Sequence, residues 1–94
     1  MIVVNYIMPL GGIDWETISH DFNGIYKSTG GNITFYLKNG KRHREDGPAC
    51  ISFHTMISWY YNGVWHGENE DFTNETWIEF VENLKREEEL KIFI

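Results

Sequence analysis

Two stretches 23 residues apart repeat one pattern, and that repeat restricts the fold more than anything else in the chain. Tyr36-Leu37-Lys38-Asn39-Gly40-Lys41-Arg42-His43 and Trp59-Tyr60-Tyr61-Asn62-Gly63-Val64-Trp65-His66 share an aromatic lead, an Asn-Gly pair, and a His three residues past the glycine. Asn-Gly between β-favouring residues marks a two-residue hairpin, because both central positions of a type I′ turn need positive φ. Two such turns in register predict a meander of β-hairpins. At 94 residues the chain is one domain with a modest core.

The flanking segments extend this plan. Residues 2–7 are β-favouring and end at Pro9 and Gly11-Gly12. Asp14 can cap a short helix over 15–21 carrying Trp15, Ile18 and Phe22 on one side. Residues 33–38 alternate, with Ile33, Phe35 and Leu37 on one face. Asp46-Gly47 is a further turn signal and Pro48 cannot donate to a ladder. Residues 49–54 set Ala49, Ile51 and Phe53 against Cys50, Ser52 and His54, and residues 57–61 place Trp59 and Tyr61 together. After Gly67 the period changes. Thr73 or Asn74 can cap a helix over 73–88 whose Trp77, Phe80, Val81 and Leu84 fall at i, i+3, i+4 and i+7. Leu90, Ile92 and Ile94 then alternate, which reads as a closing strand against residues 2–7, or as the apolar end of a longer helix. The expected fold is α+β over residues 1–94: an antiparallel hairpin meander, flanked by a short N-terminal helix and an amphipathic C-terminal helix.

Residues 38–49, Lys38-Asn39-Gly40-Lys41-Arg42-His43-Arg44-Glu45-Asp46-Gly47-Pro48-Ala49, resemble the MORN-like tandem repeat of large bacteriophage and giant-virus proteins. That repeat reads aromatic, Tyr, any residue, Asn-Gly, basic, apolar, then His-Arg-Glu-Asp-Gly-Pro-Ala. Arg42 stands where an apolar residue is usual. The second copy keeps Trp59, Tyr60, Asn62-Gly63 and His66 but replaces Arg-Glu-Asp-Gly with Gly67-Glu68-Asn69-Glu70 and has no Pro-Ala. Phe22-Asn23-Gly24 is a candidate third, degenerate copy. The resemblance covers residues 33–67 and implies stacked hairpins. It implies no activity, and two copies need flanking elements as caps.

Composition narrows the function classes. Fifteen aromatics suit sheets and cores, and also interfaces. A single cysteine, Cys50, rules out an internal disulfide and a Cys-based zinc site and suits a reducing compartment. The apolar N-terminus is short and lacks a leading positive charge, so it makes a poor signal peptide. No run reaches the roughly 20 apolar residues of a membrane helix. A cytoplasmic protein, in the host cytoplasm if phage-encoded, and no membrane partner are expected. The net charge of −6 arises after Gly67: residues 1–67 hold five acids and five bases, residues 68–94 nine acids and three bases.

Each chemical motif has a plainer structural use. His43 and His66 occupy equivalent positions, and a residue that every hairpin carries is scaffold: a His after a turn can hydrogen-bond a nearby carbonyl. Arg44-Glu45-Asp46 fits a turn with an ion pair better than a catalytic set. Cys50 and His54 share a face but sit roughly 13 Å apart at strand rise, too far for a nucleophile and its base. No cofactor, metal or catalytic residue is expected. What remains is a non-enzymatic interaction module, and the resemblance to a viral repeat implies, by analogy, a small phage-encoded inhibitor or modulator of a bacterial host enzyme, with an anti-defence or anti-CRISPR role in view. The partner-binding candidates are the basic tip (Lys41, Arg42, Arg44), the aromatics Tyr36, Tyr60 and Trp65, and the acidic helix (Glu75, Glu79, Glu82). The alternative is a nucleic-acid-binding module in which the basic tip and its aromatics grip a single strand, against an overall acidity that disfavours phosphate. Self-association through a sheet edge or residues 90–94 is a further possibility.

Overall fold

A computed structural model describes residues 2–6, 18–28, 33–53 and 56–92. The strands are β1 (Ile2–Tyr6), β2 (Gly24–Ser28), β3 (Ile33–Lys38), β4 (Lys41–Arg42), β5 (Cys50–Ser52), β6 (Met56–Tyr61) and β7 (Val64–Glu68). A 3-10 turn at Asn69–Asp71 leads to one α-helix, α1 (Asn74–Ile92). The fold is thus mixed α+β, an open sheet with a C-terminal helix.

Sheet order is β1-β2-β3-β5-β6-β7, with β4 also paired to β3. Every pairing is antiparallel except β1 with β2, which is parallel. β1 therefore does not pair with the C-terminal segment, as one reading of residues 90–94 required. Those residues continue α1 to Ile92; residues 93–94 lie outside the described set. The alternation was too short to compete with a helix already propagating through Glu87, Glu88 and Glu89, which are good helix formers. Glu88 also has a use on the core side, where its carboxylate accepts the Tyr61 hydroxyl at 3.2 Å.

The helix expected over 15–21, with its Asp14 cap, lies mostly outside the described residues. Its described part, residues 18–21, is a bend and turn closed by Phe22 N–H onto Ser19 C=O at 3.1 Å. Short polar side chains compete with helix there: the Ser19 hydroxyl donates to Asp21, and the Asn23 amide donates to the Asp21 carbonyl at 3.0 Å. Phe53 also departs from its expected face. The strand stops at Ser52, and Phe53 has φ 52° and is 58% exposed.

The helix starts where the sequence allowed. Thr73 is its cap: Thr76 N–H donates to Thr73 Oγ1 at 3.2 Å, and Thr73 N–H donates back to Thr76 Oγ1 at 2.8 Å. This is a reciprocal capping box built from two threonines. The predicted apolar stripe then meets the sheet. Trp77 and Val81 are fully buried against Trp59 and Tyr61, with Phe72, Phe80 and Leu84 packed around them. The Trp77 indole N–H donates to the Arg44 carbonyl at 2.7 Å, so its one polar atom is satisfied.

The two hairpin turns have the expected geometry: Asn39 and Gly40 at φ 53° and 72°, Asn62 and Gly63 at 49° and 81°. Each turn presents two outward amides, and the level below takes both. Gly40 N–H donates to Phe22 C=O at 2.9 Å and Asn39 N–H to Asn23 Oδ1 at 3.1 Å. One level up, Gly63 N–H donates to Arg42 C=O at 2.8 Å and Asn62 N–H to His43 Nδ1 at 2.9 Å. Phe22-Asn23 therefore stands where Arg42-His43 stands. The candidate third copy contributes that acceptor pair rather than a turn.

The two turn glycines share a backbone conformation but not their surroundings. A Cβ on Gly40 would come within 2.6 Å of the Ser19 carbonyl oxygen, whereas one on Gly63 meets only the Lys41 side chain at 3.4 Å. Gly63→Ala should cost about 1–2 kcal/mol, the strain of a left-handed non-glycine, and Gly40→Ala distinctly more. Urea denaturation of both variants checks the order; equal losses would remove the Ser19 contact as a constraint.

Candidate functional site

His43 is engaged at both ring nitrogens, and its partners fix its tautomer. A backbone N–H can only donate, so Nδ1 accepts from Asn62 and the proton sits on Nε2, which donates to Glu45 Oε2 at 3.1 Å. Glu45 also pairs with Lys85 of α1. A chain of contacts therefore runs from the second turn, through the first hairpin, to the helix. The ring is 7% exposed and lies 4.9 Å from the Tyr61 ring. The sequence pointed to a carbonyl partner for this His; the structure instead supplies an amide donor from the next hairpin. Glu45 is held below its ordinary 4.5, chiefly by the hydrogen bond from Lys85; partial burial opposes this and His43 adds to it.

Arg44 clamps the excursion between β4 and β5. Its guanidinium lies 4.1 Å over the Tyr36 ring, donates to Asp46 Oδ1 at 2.9 Å, and reaches the Pro48 carbonyl at 3.3 Å. A Cβ on Gly47 would meet that guanidinium at 2.8 Å. Arg44, Asp46, Gly47, Pro48 and Tyr36 are thereby all committed to one loop. Tyr36 closes it from the sheet, accepting His43 N–H at 2.9 Å and donating to Ala49 C=O at 2.7 Å.

A different arrangement occupies the other face. Tyr60 and Trp65 are direct cross-strand partners on β6 and β7, so their side chains point the same way. The Arg42 guanidinium sits 4.3 Å over the Tyr60 ring and donates to its hydroxyl at 3.0 Å. Arg42, Tyr60 and Trp65 thus form a row across three strands. Trp65 is 52% exposed at the sheet's outer strand, and its neighbour Val64 is exposed beside the turn. Beneath the row, burial pushes the Cys50 thiol up to about 12 even though Arg42 is nearby. Cys50 is therefore a poor nucleophile at neutral pH.

A hollow of about 1000 Å³ opens between β6, the 3-10 turn and the start of α1, with Glu68, Glu70 and Asp71 among its lining residues. Its polar atoms are largely engaged: Trp59 Nε1 donates to Asn69 C=O at 3.1 Å, Ile57 N–H to Asn69 Oδ1 at 3.1 Å, and Glu68 N–H to Asp71 Oδ2 at 2.9 Å. Among the described residues, no group of three His, Cys, Asp or Glu is placed to hold a metal.

The predicted partner residues are therefore divided. Arg42, Tyr60 and Trp65 come together. Arg44 and Tyr36 are tied up in the loop. Lys41 pairs with Lys38 and projects to the face opposite Arg42, because neighbours on a strand alternate. Glu75, Glu79 and Glu82 are exposed on α1, which packs over Trp59 and Tyr61 and hence behind the Arg42–Tyr60–Trp65 row. Glu45 and Lys85 were missed as a pair, because 40 residues separate them and no local pattern joins them. The 23-residue offset that maps Arg42 onto Trp65 was a usable signal for the row.

No protein-family model, curated protein or solved structure matches the chain. No helix among the described residues is long and apolar enough to cross a membrane.

His43→Leu takes the acceptor from the Asn62 amide in a part-buried bond and should cost about 0.5–1.5 kcal/mol. His43→Asn should recover part of this, since Asn23 performs the same task one level below. Chemical denaturation of the pair checks it. Glu45 adds a pH dependence. Its folded pKa is depressed, so its contribution is complete above the unfolded value of 4.5 and is lost as pH falls through the folded value. The urea midpoint should fall on acidification below that value, and Lys85→Met should flatten the fall. An unchanged acid limb in Lys85→Met would show that the pair does not contribute.

Proposed function

We propose that this protein is a non-enzymatic protein-interaction module, and that it acts as a small phage-encoded inhibitor or modulator of a bacterial host enzyme in the cytoplasm, an anti-defence factor being one form of that role. The observation that carries the reading is the half-exposed Trp65, held beside Tyr60 and Arg42 on the outer strands of the sheet. Trp, Tyr and Arg dominate the energetics of protein interfaces, because each offers a large, ordered contact area with a polar handle. Arg42 is already oriented by Tyr60, so little side-chain freedom is lost on binding. The groups that could perform chemistry have structural employment: His43 and Glu45 in the inter-hairpin relay, Arg44 and Asp46 in the loop clamp, Cys50 with its thiol pushed up. The resemblance to a viral hairpin repeat supports the phage origin.

The same row favours one second reading. A cation over an aromatic ring with an indole alongside can stack unpaired bases, so a nucleic-acid-binding module is the alternative. Lys38 and Lys41 on the opposite face weaken it, since a backbone-tracking groove needs its charges on one side.

Affinity capture from a bacterial lysate decides between them. Wild-type protein should retain one host protein through moderate salt, and Trp65→Ala should weaken that complex by tenfold or more. Recovery of no protein, together with tight oligonucleotide binding that falls steeply with salt, would sink the leading reading.

A further inference from the structure

We propose that the outer edge of β7 is the docking site for a β-hairpin of a partner protein, whose turn amide is received by the Trp65 carbonyl. The inference rests on the reading of the chain as an interaction module, and it names the edge used and the chemistry of the occupant.

The argument comes from the stacking rule inside the chain. At each level an Asn-Gly turn donates its glycine amide to a backbone carbonyl of the level below and its asparagine amide to the side chain of the next residue. Phe22 C=O and Asn23 serve the first turn; Arg42 C=O and His43 serve the second. The 23-residue repeat places the next acceptor pair at Trp65 and His66. Ladder alternation agrees. Tyr61 and Val64 flank the second turn and close it, so Tyr60 and Trp65 are a non-bonded pair whose N–H and C=O point away from β6. Leu37 and Arg42 are the equivalent pair one level down, and there the outward carbonyl does accept a turn amide.

The third acceptor pair has been half closed. His66 packs against Phe80 at 5.1 Å and Trp77 at 6.0 Å. These α1 rings stand where Tyr61 of the next hairpin stands against His43. The helix therefore substitutes for the side chains of a further hairpin. It does not substitute for its backbone: β7 ends the sheet, and Val64 and Trp65 are more than half exposed there. No described residue donates to the Trp65 carbonyl.

Repeat geometry also selects the occupant. Both Asn-Gly turns of this chain already donate within it, and β1, at the opposite end of the sheet, pairs parallel rather than as a hairpin. Among the described residues a second copy thus offers no free Asn-Gly turn, and the occupant is a hairpin of a different protein. Its approaching strand runs antiparallel to β7 and adds to the sheet edge, with Trp65, Tyr60 and Arg42 against its side chains on one face.

The test uses the whole protein and a cyclised hairpin peptide carrying the sequence of residues 57–66 with its Asn-Gly turn. Amide chemical shifts in ¹⁵N-labelled protein report where the peptide binds. Perturbation is expected along residues 64–68, with binding weakened about tenfold when the turn glycine is replaced by N-methylglycine, which lacks the donor. Trp65→Pro removes an outward N–H that the fold does not use, and proline is tolerated on edge strands. It keeps the acceptor carbonyl but takes an edge donor from the added strand, so it should weaken binding more than Trp65→Ala, which keeps the edge backbone whole, at an unfolding midpoint close to that of Trp65→Ala. Binding insensitive to N-methylation, equal loss in the two Trp65 variants, or a dimer paired through β7 would each overturn the proposal. Lysate capture of a host protein that Trp65→Ala weakens and Trp65→Pro weakens no further would overturn the edge while leaving the interaction-module reading standing.

Discussion

The hydrogen bond from the Asn62 amide to His43 Nδ1 ties the second turn to the first hairpin, beside the β3-β5-β6 ladder and the backbone bond from Gly63 to Arg42. A two-residue hairpin satisfies its own strands but leaves two turn amides pointing outward, and burying them without partners would cost more than the hairpin gains. His43 solves this for the second hairpin and passes the connection through Glu45 to Lys85 on α1. The Arg44 carbonyl holds Trp77 from the same loop. First hairpin, second hairpin and helix thus meet within three consecutive residues.

From this follows the division of labour between the faces. The helix side is sealed by aromatic packing around Trp77. The other side carries the Arg42–Tyr60–Trp65 row. Arg42 supplies the carbonyl that the second turn needs, and its side chain adds a cation above Tyr60.

The helix resolves a problem common to short arrays. A hairpin stack cannot end without exposing an apolar rung, and α1 covers that rung with Phe80 and Trp77. A helix laid across a sheet covers side chains but makes no ladder hydrogen bonds, so among the described residues nothing pairs with the outer edge of β7.

Much of this was readable in the residues, for physical reasons that are local. Positive φ at Asn39-Gly40 and Asn62-Gly63 follows from sterics at two positions. The Trp77–Phe80–Val81–Leu84 face follows from helical period, and the Trp59–Tyr61 face from strand period. Less was readable where the partner lies far along the chain. His43 was expected to bond a nearby carbonyl and instead bonds the following turn. Residues 90–92 alternate like a strand and are helical, because propagation from the Thr73 cap and the glutamates outweighed three alternating residues. The basic tip read as one patch, yet pairing sends Lys41 and Arg42 to opposite faces and Arg44 into a loop. By itself, then, the sequence determined the turns, the faces and the helix, each set by neighbours within a few residues. The tertiary structure decided which acceptor each turn amide finds, that Arg42, Tyr60 and Trp65 share a surface, and that β7 is left at the edge, because strand order and register depend on residues tens of positions apart.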